Sequence, residues 1–356
     1  MLAILFCRRT DKMLNKIIPN HQIEQIADLL NENDKFVIVT HVSPDGDAIG
    51  SSLGLYNYLI EQGREASVVV PNAFPQFLKW IPGAKDILDA EKYPDYAQKL
   101  IESADVIFCL DFNVAKRIIQ LAPHVIGASA KKVMIDHHPH PDTFCDIIVS
   151  HPEISSTSEL IFRLICRLGD FKVMSKASAE AIYTGMMTDT GGFTYNSNDE
   201  AIYYIIGELL RKGINKDQIF SNVYHNYSVD RFRMMGYVLS EKMRVYPEYR
   251  TAMISLSQEE QIRFNAQKGD TEGFPNMLLN IKDIVFGIFI REDVDFVKVS
   301  LRSQEDFPTN KFAAQCFNGG GHLNASGGEF HGTLDEAIAL FEKTLPEYKS
   351  LLVKEK

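Results

Sequence analysis

The chain has 356 residues, of which 45% are hydrophobic and 24% are charged, an ordinary composition for a globular protein with room for two domains. Its formal net charge of −10 argues against a protein that coats long nucleic acid through a basic surface. Acidic residues that hold metal ions can nevertheless attract a phosphate substrate. No apolar run approaches the roughly 20 residues of a membrane-spanning helix, so we expect no membrane partner.

The N-terminus and the cysteines both favour a cytoplasmic location. The apolar run from Leu2 to Cys7 is too short for a signal-peptide core and precedes Arg8 and Arg9 instead of following them. Met13 is a plausible alternative start. The five cysteines lack CxxC spacing and mostly lie in apolar runs, so we interpret them as reduced core residues. They are Cys7, Cys109, Cys145, Cys166 and Cys316.

In chain order, apolar periodicity predicts alternating helices and strands followed by a second α/β segment. The first part is predicted to contain helix 20–30, strand 36–40, helix 48–62, strands 66–70, 104–110 and 131–135, and helices 155–168 and 175–188. The second is predicted to contain strand 251–256, a helix from 257, strands 284–290 and 296–300, a glycine-rich loop at 318–328 and helix 334–345. We therefore predict a catalytic domain at 15–198, a helical connector at 199–246 and a smaller domain at 247–356. No pattern predicts a particular oligomeric state.

Three predicted strands end on acidic or imidazole side chains. They are followed in turn by His41, Asp45 and Asp47; by Asp111; and by Asp136, His137 and His138. Helix 175–188 runs into Asp189. Ligands bind at the C-terminal edge of an open parallel sheet, so these side chains are predicted to converge.

Each motif by itself also has a purely structural explanation. Asp-Gly-Asp and Asp-His-His occur in capped turns, Asp111 could cap a helix beginning near Val114, and Asp189 could belong to a helix-terminating turn. Arg117, on the helix predicted after Asp111, is a candidate substrate contact or a solvated charge. The run Ser155-Ser156-Thr157-Ser158 is most simply a helix N-cap, although it could line a phosphate pocket. The four acidic motifs occurring together favour a functional site.

The residue types predict the metal. Carboxylates and neutral imidazoles without thiolates suit Mn(II) or Mg(II), and the imidazoles favour manganese. Two such ions roughly 3.5–4 Å apart share a carboxylate, activate a water and screen phosphodiester charge. The strand-end acid in the middle of the set, Asp111, is the natural bridge.

The motifs resemble those of the DHH phosphoesterase superfamily. The resemblance rests on His-x-x-x-Asp-x-Asp at 41–47, the lone Asp111, Asp136-His137-His138 and Asp189. The Gly-Gly-Gly-His stretch at 319–322, with Arg302-Ser303 upstream, resembles the signature of the DHH-associated C-terminal domain. Asn318 and Ser326 depart from that pattern. Size and arrangement are most similar to the nanoRNase/pAp phosphatase (NrnA-like) group.

The resemblance implies specific roles. One ion would lie on His41, Asp45 and Asp111, and a second on Asp47, Asp111, His137 and Asp189. Asp136 would orient an imidazole behind the ligands, and His138 would face the scissile phosphate as a catalytic residue beside Asp111. Arg302, Ser303, Gly319, Gly320, Gly321 and His322 would bind the substrate's other phosphate, since successive glycine N–H groups can form an anion nest.

The resemblance further implies an α/β fold, with a parallel-sheet catalytic domain and a smaller α/β substrate-binding domain. The implied activity is manganese-dependent hydrolysis of short single-stranded RNA to 5′-mononucleotides, an exonuclease-type oligoribonuclease reaction, with dephosphorylation of 3′-phosphoadenosine 5′-phosphate (pAp). Alternatives are a cyclic or linear dinucleotide phosphodiesterase and a catalytically silent nucleotide sensor. A RecJ-like exonuclease is disfavoured because no basic stripe is present, and a pyrophosphatase because of the glycine-rich loop.

Overall fold

The protein divides into two compact units, Met1–Asn226 and Tyr227–Lys356. A computed structural model describes residues 17–225, 227–267 and 269–353. The apolar run at 2–7 and Met13 lie outside the described residues. The division falls within the segment predicted as a connector, and the bounds 15–198, 199–246 and 247–356 stay predictions.

The first unit is built on a six-stranded parallel sheet. Strands β1 to β6 are Lys35–Val39, Glu65–Val70, Leu88–Asp89, Val106–Leu110, Lys131–Asp136 and Ile147–Ser150. Their order in the sheet is β3-β2-β1-β4-β5-β6, and every neighbouring pair is parallel. The chain therefore changes direction across the sheet between β1 and β4, and such a switch point leaves a crevice at the C-terminal ends of the two strands.

Helices cover both faces of this sheet. Helices α1 to α8 are Asn20–Glu32, Gly46–Glu61, Pro94–Glu102, Ala122–Gly127, Thr157–Arg167, Lys176–Asp189, Glu200–Arg211 and Lys216–Tyr224. Phe36 and Ile38 of β1 pack in the core shared with α1, α2, α5 and α6, whereas Val37 and Val39 pack in the core shared with α3 and α4. This alternation explains why β1 is apolar from Phe36 to Val39.

Glycines let α2 and α6 approach closely. An added Cβ at Gly50 of α2 would lie 2.7 Å from the carbonyl oxygen of Ala181 and from the Cα of Gly185 in α6. An added Cβ at Gly185 would lie 2.9 Å from Oδ1 of Asp47. The separation of the two helices is therefore set by backbone contact, which places Asp47 against α6.

The second unit is a smaller mixed sheet. Strands β7 to β12 are Arg244–Tyr246, Thr251–Leu256, Phe286–Glu292, Val297–Ser303, Gly320–Gly321 and Ala325–Phe330. Helices α9 to α14 are Val229–Tyr237, Gln258–Arg263, Phe274–Leu278, Thr309–Cys316, Leu334–Thr344 and Lys349–Leu352. The order is β11-β12-β10-β9-β8-β7, with β8 and β9 parallel and all other neighbours antiparallel. Apolar clusters lie on both faces.

The predicted α/β class, a parallel-sheet domain followed by a smaller one, is confirmed. Three local features differ in detail from the predictions. The segment after Asp111 is a 3₁₀ helix, Ala115–Leu121, with Ile119 out of helical geometry (φ 37°). A separate short helix, α4, begins at Ala122 and has Pro123 in its first turn. The predicted connector contains the edge strand Arg244–Tyr246. The glycine-rich loop is largely the β11–β12 hairpin, since glycines allow the two backbones to meet closely.

The cysteines and the helix lengths add two observations. Cys109 and Cys145 are buried, Cys166 and Cys316 are half-buried, and all four are free; Cys7 lies outside the described residues. Among the described helices, none combines the length and the apolar character needed to cross a bilayer.

We expect Gly50→Ala to destabilise the first unit. The new methyl group would press on backbone atoms of α6, and overpacking of this kind costs about 1–3 kcal/mol, or roughly 3–10 °C in the thermal unfolding midpoint. Gly207→Ala in α7 is the matched control, because an added Cβ there meets no described atom within 4 Å. It should stabilise the helix by up to about 1 kcal/mol. Equal midpoints for the two variants would contradict the close-packing argument.

Candidate metal centre

The predicted acidic and imidazole residues of the first unit lie at one edge of its sheet. The loop after β1 carries His41 and Asp45, Asp47 lies in the first turn of α2, and Asp111 follows β4 directly. β5 ends on Asp136, which His137 and His138 follow, and α6 ends on Asp189. The β1–β4 switch point therefore brings the first two sets together, and β5 adds the third from the next position in the sheet.

Asp111 lies between imidazoles on two sides. Its Oδ2 is 3.4 Å from Nε2 of His41, and its Oδ1 is 3.5 Å from Nε2 of His137. The residue is 2% exposed and has a φ of 62°, a left-handed conformation that aspartate tolerates better than most residues. The two oxygens of one carboxylate thus face different histidines, which is the arrangement that a bridging ligand requires.

Two further carboxylates face His137. Its Nε2 lies 3.5 Å from Oδ2 of Asp189 and 3.8 Å from Oδ2 of Asp47. On the other side of the ring, Nδ1 lies 3.2 Å from the carbonyl oxygen of Ile154, a contact in which the ring donates its proton. This bond leaves Nε2 as the nitrogen directed at the acids, as is usual for metal-binding histidines.

Asp45, a candidate metal ligand, is also the N-cap residue of α2. Its Oδ1 accepts the backbone N–H groups of Asp47 at 3.1 Å and Ala48 at 3.0 Å. The same oxygen lies 3.9 Å from Nε2 of His41, and the side chain is 54% exposed. The cap holds this carboxylate at the solvent side of the cluster.

Asp136 orients His138. One oxygen accepts the backbone N–H of His138 and the other accepts its Nδ1–H, both at 2.8 Å. On the far side of the ring, Nη1 of Arg117 lies 3.0 Å from Nε2 of His138 and 3.3 Å from the carbonyl oxygen of Asp111. Arginine has only donors, so Nε2 accepts and the ring proton sits on Nδ1. The sequence did not predict this contact between Arg117 and His138.

The buried charges shift one another's protonation. Burial raises the pKa of Asp47 well above its usual range, and the charges of Asp111 and Asp189 raise it further. Burial alone would raise the pKa of Asp111 too, but the surrounding imidazoles outweigh it and hold that pKa below its usual range. Burial lowers the pKa of His137, but its acidic neighbours outweigh burial and raise that pKa to about 9. A cation bound here at neutral pH must therefore displace a proton from the site.

Burial lowers the pKa of His41, and the charge of Arg117 lowers it further. Asp111 and Asp45 outweigh these two effects, so the pKa of His41 is raised above its usual value. The buried Nε2 of His41 nevertheless finds no well-formed hydrogen bond among the residues that the structure describes. A buried nitrogen aimed at two carboxylates without a good hydrogen bond suits a metal ligand.

Donor atoms within 4.8 Å of one another form three groups around Asp111. These groups are His41, Asp45 and Asp111; Asp47, Asp111 and His137; and Asp111, Asp136 and His138. The first two contain most of the ligands that the resemblance assigns to two ions, and they share Asp111. The donor set, together with the nitrogen of His41, therefore fits divalent cations.

The residues predicted to bind the second phosphate all belong to the second unit. Nη1 of Arg302 donates to the carbonyl oxygen of Leu301 at 2.9 Å. Ser303 is buried, and its hydroxyl donates to the carbonyl oxygen of Phe307 at 2.7 Å and accepts from Asn324 at 2.8 Å. Both hydrogen bonds of the Ser303 hydroxyl therefore stabilise the second unit itself, by joining the end of β10 to Phe307 and Asn324.

The glycine run next to His322 is paired rather than open. Gly320 and Gly321 lie in β11, and the N–H of Gly319 donates to the carbonyl oxygen of Ala313 at 3.1 Å. The N–H of His322 donates to the carbonyl oxygen of Ala325 at 2.8 Å. An anion nest formed by all the N–H groups of this run does not fit these bonds. The assignment of these residues to substrate stays a prediction.

Comparison with known proteins gives matches over most of the chain. The profile for the DHH family, N-terminal domain, matches residues 35–186, and that for the DHHA1 domain matches residues 252–347. A bifunctional oligoribonuclease and PAP phosphatase, NrnA of Thermus thermophilus, is 29% identical, covering 89% of this chain and 90% of the relative. NrnA of Bacillus subtilis, described in the same words, is 28% identical over 85% and 91%. The crystal structure of an exopolyphosphatase-related protein from Bacteroides fragilis is 59% identical with a TM-score of 0.91, covering 95% and 99%.

We expect Mn²⁺ to stabilise the protein through this cluster. A ligand at 100 times its Kd adds about 2.7 kcal/mol, which corresponds to a rise of roughly 5–10 °C in the unfolding midpoint. The rise should shrink strongly in His41→Ala, which removes the buried nitrogen. It should be unchanged in His151→Ala, because the His151 ring bonds Glu153 and belongs to none of the donor groups. The rise in the unfolding midpoint is measured by thermal unfolding of the EDTA-treated proteins with and without Mn²⁺. An equal rise in all three proteins would place the bound ion elsewhere.

Proposed function

This chain belongs to the DHH family, and we propose that it is a manganese-dependent enzyme that hydrolyses short oligoribonucleotides to 5′-mononucleotides and dephosphorylates pAp. Its family makes it a nucleotide phosphoesterase, a hydrolase. The observation that carries the proposal is the buried carboxylate–imidazole cluster around Asp111 at the strand switch point. The choice of substrates is supported by similarity, over most of the chain, to two proteins named for oligoribonuclease and PAP phosphatase activity.

In this proposal one ion is held by His41, Asp45 and Asp111. The other is held by Asp47, Asp111, His137 and Asp189. When bound, two divalent ions would activate a water and offset the charge of the phosphate. Manganese is favoured and magnesium is acceptable, because the donors are carboxylates and imidazoles.

The chain's own residues orient and bind the phosphate. Asp136 holds the proton of His138 on Nδ1 and thereby turns Nε2 towards Arg117. The guanidinium of Arg117 adds a positive charge beside this ring, where a phosphate would need it. In the proposal His138 faces the scissile phosphate, and Arg302 and His322 bind the other phosphate of a short substrate.

The proposal is tested with a substrate panel. Purified protein with Mn²⁺ is incubated with a 5′-labelled pentaribonucleotide, pAp, linear diadenylate and cyclic diadenylate, and products are followed in time. We expect mononucleotides from the short RNA and phosphate from pAp. Asp111→Ala should lower both rates by at least about 10²-fold, because both ions lose a ligand. The matched control Asp105→Ala removes a surface carboxylate that accepts the backbone N–H groups of Asp34 and Lys35 at the start of β1.

The other outcomes of this experiment would each support a different function. Turnover confined to the dinucleotides would support a signalling phosphodiesterase that uses the same cluster. Binding without turnover of any substrate would support a nucleotide sensor. Near-normal turnover by Asp111→Ala would contradict the shared-ligand assignment.

We expect Arg302→Ala mainly to weaken substrate capture. Loss of one hydrogen bond to a charged group costs about 1.5–3 kcal/mol, so KM should rise roughly 10–100-fold with a small change in kcat. Arg233→Ala is the control, since the Arg233 side chain is exposed and pairs only loosely with Asp230, at 3.6 Å. An unchanged KM with unchanged kcat would remove Arg302 from the substrate site.

A further inference from the structure

The start of α5 contacts two of the proposed metal ligands. The backbone N–H groups of Thr157 and Ser158 donate to the two oxygens of Asp47, at 2.6 Å and 2.8 Å. The hydroxyl of Thr157 donates to Oδ1 of Asp111 at 2.9 Å. A single residue, Thr157, thus bonds the carboxylate proposed for one ion and the carboxylate proposed for both.

These bonds are shielded from water. Thr157 and Ser158 are fully buried, Asp47 is 1% exposed and Asp111 is 2% exposed. The first N–H groups of a helix have no partner within the helix, and they carry the positive end of its dipole. These N–H groups therefore stabilise the charged form of Asp47, whereas burial favours its neutral form. The low local dielectric strengthens the hydrogen bonds to the charged carboxylate.

The turn that precedes α5 is itself held in place. Ser156 caps the helix by accepting the N–H of Glu159 at 3.1 Å. The hydroxyl of Ser155 donates to Oε2 of Glu159 at 2.5 Å, and Oε1 of Glu159 accepts from Nη2 of the buried Arg163 at 2.6 Å. A buried hydrogen-bonded ion pair thereby fixes residues 155–158.

We propose that Thr157 is a positioning residue of the metal centre. Its hydroxyl donates to Oδ1 of Asp111, the oxygen that faces His137, and so holds Oδ2 towards the buried Nε2 of His41 at 3.4 Å. That nitrogen lacks a well-formed hydrogen bond among the described residues, which points independently to a cation between it and Asp111. The inference rests on the metal site of the proposed function and adds the residue that aligns its shared ligand before any ion binds.

The test compares substitutions that keep or remove the hydroxyl. Thr157→Val is close to isosteric and keeps the N–H bond to Asp47, whereas Thr157→Ser keeps both bonds. Thr184→Val is the matched control, because Thr184 is also buried in a helix but its hydroxyl donates to the backbone carbonyl oxygen of Glu180 in its own helix, at 2.7 Å. Metal binding is measured on EDTA-treated full-length protein by titration with Mn²⁺ alone, following the electron paramagnetic resonance signal of the free ion.

We expect Thr157→Val to bind Mn²⁺ about 10–100-fold more weakly, the loss typical of groups that orient metal ligands. Thr157→Ser and Thr184→Val should bind within about threefold of the unsubstituted protein, well below that loss. Thermal unfolding in EDTA checks that each variant is folded. If Thr157→Val does not fold, Thr157→Ala, which is smaller, takes its place in the same comparison.

The outcomes separate this inference from the proposed function. Failure of the unsubstituted protein to bind Mn²⁺ would overturn the metal site itself. Normal binding by Thr157→Val, in a protein that binds Mn²⁺, would overturn only the role of Thr157. Equal weakening in Thr157→Ser and Thr157→Val would also overturn it, since the hydroxyl would not be the cause.

Discussion

Mutual repulsion among buried carboxylates is the constraint on which the site depends. Asp47 and Asp111 are almost fully buried and raise each other's cost of ionisation, and Asp189 adds a third charge beside His137. Such a cluster persists only if positive charge or hydrogen-bond donors surround it. The structure supplies imidazoles on both sides of Asp111 and helix N–H groups at Asp47. The donor set also fits divalent cations, whose charge would offset that of the carboxylates.

Strand order and helix packing together bring the residues of this cluster into contact. The strand order places the ends of β1 and β4 side by side, so loops that are 70 residues apart in sequence share one crevice. Backbone contact between α2 and α6 at Gly50 and Gly185 places Asp47, in the first turn of α2, against α6. Thr157 and Ser158 at the start of α5 donate hydrogen bonds to Asp47 and Asp111. The positions of the candidate ligands therefore depend on packing between elements that are remote along the chain. For this reason, substitutions outside the candidate ligand set are expected to affect metal binding.

Much of the fold, and the convergence of the candidate metal ligands at one edge of the sheet, could be predicted from the sequence. Continuous apolar runs followed by acids predicted β1, β4 and β5 to within two residues, because a strand buried on both faces has little choice of composition. The short edge strands β3 and β6 were not predicted, since two to four residues carry too little pattern. The helix expected after Asp111 is a 3₁₀ turn, because Pro123 and the bent backbone at Ile119 divide the segment. The glycine run of the second unit pairs with β12 instead of staying open.

The sequence by itself determined which residues can bind metal and that they follow strand ends, because residue type and apolar patterning are local properties. Only the tertiary structure decided how each one is used. It turned the two oxygens of Asp111 towards different histidines, placed Arg117 against His138, and gave Thr157 a bond to Asp111 from 46 residues away. Hydrogen bonds of this kind depend on distances of a few tenths of an ångström between remote elements, and no spacing along a chain encodes them.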